Sequence, residues 1–163
     1  MKRTLKTIGK YFAVAVVALL LQELILYFRV LDTSAIDIPT AMNVKKLVQA
    51  GMDFDALMNL ETVRIASTGI IGTLFSEVRT MDLRGSELAH LFERYPGFLI
   101  TLEYGEGAEH ALIYMKIAAD RRITVSKGGR SYSGYISENA YELLAGAYDA
   151  ADPVAAPPTI KTR

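Results

Sequence analysis

Only two histidines occur in this chain of 163 residues, His90 and His110, and each lies among carboxylates. Glu87 and His90 are three positions apart and Glu93 is three further on, so on a helix all three share one face; Glu109 adjoins His110. Imidazole and carboxylate are both metal ligands, so a metal reading takes Glu87, His90 and His110 with a neighbouring glutamate. A lone Glu-x-x-His is not the paired arrangement that a di-metal bundle uses. An exposed polar helix face and a polar hairpin loop account for the same residues, and no cofactor or metal is expected.

Hydrolysis by serine would need a Ser, a His and an orienting carboxylate brought together, and the chain has no Gly-x-Ser-x-Gly elbow. Glycoside hydrolysis needs only two carboxylates, which the 18 acidic residues supply without pointing anywhere. Absence of cysteine removes thiolate nucleophiles, cysteine metal ligands and disulfides together. A catalytic role, as an exported hydrolase or metal-binding domain using His90, His110 and nearby carboxylates, is therefore the alternative and not the leading expectation.

Binding chemistry has better support. Lys127, Arg130, Tyr132 and Tyr135 flank one Gly-Gly turn, a small basic-aromatic cluster that suits an acidic polymer, a lipid headgroup or a protein rim. The same residues also serve as a solubilising turn whose charges guard an edge strand. A second polar pair, Gln22 and Glu23, interrupts an otherwise apolar run. An ionisable group inside a membrane usually faces protein or water, which makes this pair a candidate contact with a partner helix or with a second copy.

That run, Tyr11 to Val30, dominates the chain. Its twenty residues, at about 1.5 Å each, match the roughly 30 Å hydrocarbon core of a bilayer, and Phe12 to Leu21 has no polar face. Lys2, Arg3, Lys6 and Lys10 precede it, and only Arg29 lies at its far end, so the positive-inside bias leaves the N-terminus in the cytoplasm. Tyr11, Tyr27 and Phe28 suit the headgroup belts. A cleaved signal would require small residues soon after the apolar core, and the first passable pair is Thr33 with Ala35. An uncleaved signal anchor is the expectation, with a protein freed by cleavage near Ala35 as the weaker one.

Charge is unevenly shared. Residues 1–32 carry five basic and two acidic side chains, a net of +3; residues 33–163 carry thirteen and sixteen, a net of −3. A mildly acidic domain has no footprint for phosphate backbones, so nucleic acid is not an expected partner. The expected organisation is a basic cytoplasmic N-terminus at 1–10, a transmembrane anchor at 11–31, a juxtamembrane linker at 32–39, an extracytoplasmic domain at 40–150 and a Pro-rich tail at 151–163, which holds three of the five prolines.

Within the domain, residues 40–51 have helical spacing at Val44, Leu47 and Val48, ended by Gly51, and Asp53 opens a short turn. Residues 63–65 alternate as a strand, Ser67 to Gly72 reads as a turn, and residues 73–83 alternate again. Ser86 caps a helix that ends at Pro96-Gly97. Residues 98–104, 111–118, 122–126 and 131–136 then form a meander, and Ser137 leads into a closing helix at 140–148 whose Leu143, Leu144 and Ala147 turn inward. The fold class is α+β: an N-terminal single transmembrane helix followed by a small antiparallel sheet covered on one face by helices. The expected function is that of a membrane-anchored, non-catalytic binding or accessory/regulatory subunit of an envelope complex. Its partners are the lipid bilayer and a membrane protein, or itself, met through the transmembrane helix.

Overall fold

The computed structural model of the chain describes residues 2–48, 57, 59–85, 96–108 and 112–153, with side chains of the first helix described from Ile8 onward. In order along the chain they form α1 (Lys2–Tyr27), β1 (Val30–Leu31), β2 (Ala41–Leu47), β3 (Thr62–Ile65), α2 (Thr68–Thr80), β4 (Leu83–Gly85), β5 (Gly97–Glu103), β6 (Tyr114–Ala118), β7 (Arg122–Lys127), β8 (Arg130–Tyr135) and α3 (Glu138–Ala150). The class is α+β, as the residue pattern leads one to expect.

All eight strands join one antiparallel sheet in the order β1-β4-β8-β7-β6-β5-β2-β3. The meander β5 to β8 lies at its centre. Tight turns make that meander local: Gly128 and Gly129 take positive φ, as a two-residue hairpin loop requires, and Arg121 does so between β6 and β7. Asp120 supports the second turn by accepting from the Arg122 amide at 3.1 Å.

Side chains alternate across the sheet with the period of two that the pleat imposes. One row of opposed residues runs Val63, Val44, Ile100, Met115, Val125 and Tyr132 through six strands. The first five are buried and Tyr132 packs partly against them. The opposite parity carries Arg64, Asn43, Lys45, Lys116, Thr124 and Ser133. Burying an aliphatic side chain contributes about 1.5–3 kcal/mol, so this shared apolar row fixes the register of strands that are distant in sequence.

Helices α2 and α3 feed the same core. Ile71, Leu74, Phe75 and Val78 of α2 recur at helical spacing and are buried, as are Ala140 and Leu144 of α3. The Phe98 ring of β5 stands 5.7 Å from both Tyr141 and Tyr148 of α3. Ser137 caps α3 as expected, its hydroxyl accepting from the Ala140 amide at 3.1 Å. Glu77 of α2 takes the hydroxyl and amide protons of Ser137 at 2.5 and 2.9 Å, which ties the two helices together.

Several local expectations are overturned. Residues 41–47 are a strand and not a helix: β2 pairs with β5 on one side and β3 on the other, and a central position in a sheet outweighs the helical spacing of Val44 and Leu47. Residues 68–80 are a helix and not a turn followed by a strand. Ser67 stands at its N-cap and Gly69 and Gly72 lie within it. Leu143 of α3 is exposed, and Ala140 takes the inward position instead. The expected turn at Asp53, the helix after Ser86 and most of the Pro-rich tail lie outside the described residues.

Residues 32–39, read from sequence as a linker, pack onto the domain. Thr33 is buried, and its hydroxyl donates to the carbonyls of Arg79 and Met81 at 3.1 and 3.2 Å. Arg79 reaches back to the Ser34 carbonyl at 2.8 Å, and Ile36 is 1% exposed in the core. Just before them, Val30 and Leu31 pair with Arg84 and Leu83 as the outermost strand.

Candidate functional site

Helix α1 contains a 20-residue segment, Ile8–Tyr27, that is long and apolar enough to cross a membrane, with mean hydropathy 1.8. None of it is buried inside the protein by its most apolar window: Phe12, Leu20 and Ile25 are 72%, 62% and 61% exposed. Helices α2 and α3 each bury a stripe, so α1 is the element whose apolar surface the domain does not use.

Where α1 ends, it meets the sheet through backbone. The Arg29 amide donates to the Leu26 carbonyl at 2.8 Å, and the Gly85 amide donates to the Arg29 carbonyl at 2.9 Å. Gly85 is required here: a Cβ at this position would stand 2.7 Å from the Leu26 oxygen. The Arg84 guanidinium lies 4.5 Å over the Tyr27 ring, a cation–π contact, and Tyr27 meets Phe28 edge-on at 6.1 Å. Because β8 pairs with β4, the start of β8 comes to the same place. Leu26, Arg29, Gly85, Arg130, Ser131 and Tyr132 line one crevice.

The hairpin residues singled out from sequence separate along β8. Arg130 is exposed beside the end of α1, Lys127 is half-buried across the turn from it, and Tyr132 is half-buried with its ring against the core. Tyr135 is 67% exposed but five residues on, roughly 16 Å along the strand at 3.3 Å per residue. Gln22 is exposed on α1, whereas Glu23 is half-buried on the side that carries Leu26. Arg84, Gly85 and Leu26 were not singled out by sequence reasoning; no local signal marks them, since β4 acquires its place only by pairing with β8 far along the chain.

A second polar group lies toward the other end of the sheet. Glu103 accepts from Arg64 at 2.8 and 3.2 Å and from the Asn43 amide at 2.5 Å. These bonds, those from Arg64 first, hold its carboxyl below the usual range. A carboxylate so held favours its charged form and is poorly suited to general-acid chemistry at neutral pH. Burial pushes the Tyr104 phenol up to about 12, although its oxygen accepts from the Leu112 amide at 3.0 Å.

Glu87, His90, Glu93, Glu109 and His110 lie outside the described residues. Among the described residues no three His, Asp or Glu side chains gather as a metal site. Compared with family models, with curated proteins and with solved structures, the chain matches none.

Proposed function

We propose that this protein is a single-pass membrane subunit, with its N-terminus in the cytoplasm, its α+β domain outside, and a non-catalytic binding or regulatory role in an envelope membrane-protein complex. The observation that carries the reading is continuity between helix and domain. Strand β1 follows α1 after two residues and belongs to the sheet, and Thr33 and Ile36 are buried in the domain. Cleavage near Ala35 would strip β1 from β4 and detach the hydroxyl of Thr33 from α2. A signal destined for removal has no need of such contacts, whereas an anchor that positions its domain does.

The basic residues ahead of α1 support the orientation, since short-loop Lys and Arg set topology. Glu23 precedes Tyr27 by four residues, about 6 Å along a helix, which puts it toward the outer leaflet. Exposed Gln22 is the better placed of the two polar residues to meet a partner helix.

Purification of the tagged full-length chain from membranes in mild detergent, with intact-mass and partner identification by mass spectrometry, tests the reading. Full precursor mass together with a stoichiometric membrane partner is the expected result, and Gln22→Leu with Glu23→Leu should reduce recovery of that partner. A shortened chain in the soluble fraction would overturn it.

A further inference from the structure

We propose that the β7–β8 turn and the exit of α1 form a docking surface for the phosphates of anionic phospholipid, so that the domain lies with its β8–β4–β1 flank on the bilayer. The inference rests on the anchor reading of α1 given above. A helix that ends its apolar stretch at Tyr27 places Tyr27 to Arg29 at headgroup depth. Whatever shares a crevice with Leu26 and Arg29 is at that depth too, and this is Arg130, Ser131 and Tyr132.

The chemistry of the flank matches such a surface. Arg29 and Arg130 are exposed, and among the described residues neither guanidinium pairs with a carboxylate within 4.0 Å. Arg84, half-buried over Tyr27, adds a third guanidinium, which stands 3.9 Å from the Asp82 carboxylate. Phe28 and Val30 beside them are 72% and 51% exposed, apolar groups of the kind that enter the headgroup boundary. Guanidinium groups bind phosphate through two parallel hydrogen bonds, a geometry that zwitterionic lipid offers without the net attraction. Residues 33–163 carry a net −3, so Arg84 and Arg130 stand here beside Arg29 against the overall charge of the domain.

The absence of cysteine allows a single reporter. The full-length chain with Ser131→Cys, labelled with a nitroxide, is reconstituted into nanodiscs of phosphatidylcholine alone and of phosphatidylcholine with phosphatidylglycerol. Collision with oxygen and with a water-soluble nickel chelate then gives the depth of the label, and Thr62→Cys on β3, at the far edge of the sheet, is the control.

The label at 131 should sit at headgroup depth in anionic discs, with Arg130→Glu lowering its lipid-facing population by at least about fivefold, the effect of losing one basic group at an anionic surface, since the new carboxylate is repelled in addition. Arg130→Lys should largely retain it, which separates charge from misfolding, and the label at 62 should stay in water throughout. A label equally deep in both lipids and indifferent to Arg130→Glu would overturn phosphate recognition while leaving the anchor intact. So would a label in water in both. A chain that enters neither disc would overturn the anchor and this surface together.

Discussion

Strand β2 pairs along its whole length with β5, from Ala41 to Leu47, whereas among the described residues β4 meets β8 only at Arg84 and Gly85 and meets β1 only at Leu83 and Arg84. The two flanks of this sheet are therefore held by different means. The β2–β5–β6–β7 body is sealed by a continuous row of buried aliphatic side chains, and helices α2 and α3 add Phe75 and Leu144 to it. The β8–β4–β1 flank is short in hydrogen bonds and depends on close backbone approach, with Gly85 against Leu26 and Gly134 admitting the Leu83 side chain. Stability resides mainly in the first region and placement of the domain relative to α1 in the second.

Truncating the body should have the largest effect. Phe75→Ala or Ile100→Ala, both fully buried, should cost about 3–5 and 2–5 kcal/mol in chemical denaturation. Leu31→Ala, half-buried on the flank, should cost clearly less. Equal costs would mean that the two regions form one cooperative unit of even strength.

Gly85→Ala sharpens the comparison, since its new methyl would meet the Leu26 carbonyl, a backbone atom that no rotamer change can move. About 1–3 kcal/mol is expected for such overpacking. Hydrogen exchange should accelerate at residues 83–85 and 130–133 and stay unchanged in β5 and β6. Acceleration throughout the sheet would contradict the division.

Smaller effects follow from titration in and beside the body. The Tyr104 phenol is raised to about 12 by burial, so folding excludes its ionised form. Its contribution is complete below the unfolded value of about 10 and is lost as pH rises toward 12. Spectrophotometric titration should show a late-ionising tyrosine that Tyr104→Phe removes. Glu103 runs the other way. Its lowered pKa gives stability that is present above its unfolded value and lost as pH falls through the folded one, and Arg64→Gln should weaken that acid dependence. The pair is well exposed, with side chains 48% and 38% accessible, so solvent and salt screen it and the effect is the smallest of these.

Much of the C-terminal half was legible because its signals are local. Lys127-Gly128-Gly129-Arg130 writes its own hairpin, and Ser137 writes its own cap. The misread segments are those in which one spacing fits two structures. Val44, Leu47 and Val48 can be drawn as a helical stripe, and only pairing with β5 and β3 selects the strand over 41–47. Ile71, Leu74, Phe75 and Val78 have a clear helical period, but Gly69 and Gly72 read as breakers; each glycine within a helix costs only about 1 kcal/mol, and burial of Leu74 and Phe75 together outweighs both. Of the basic-aromatic cluster at 127–135, residue types are readable in the sequence and geometry is not. Nothing near Arg130 in sequence tells that it will stand beside Arg29.

The chain by itself determined two things: an apolar helix of membrane-spanning length and an α+β class with a C-terminal meander. Both follow from hydrophobic run length and short-range turn chemistry, which act within a few residues. Tertiary structure alone decided that β1 and Thr33 tie the helix to the domain, that β4 lies between β1 and β8, and that Arg29, Arg84 and Arg130 gather at one end of α1. Those outcomes depend on pairings between residues about fifty or more positions apart, and such pairings are chosen by the packing of the whole core and not by any stretch of sequence.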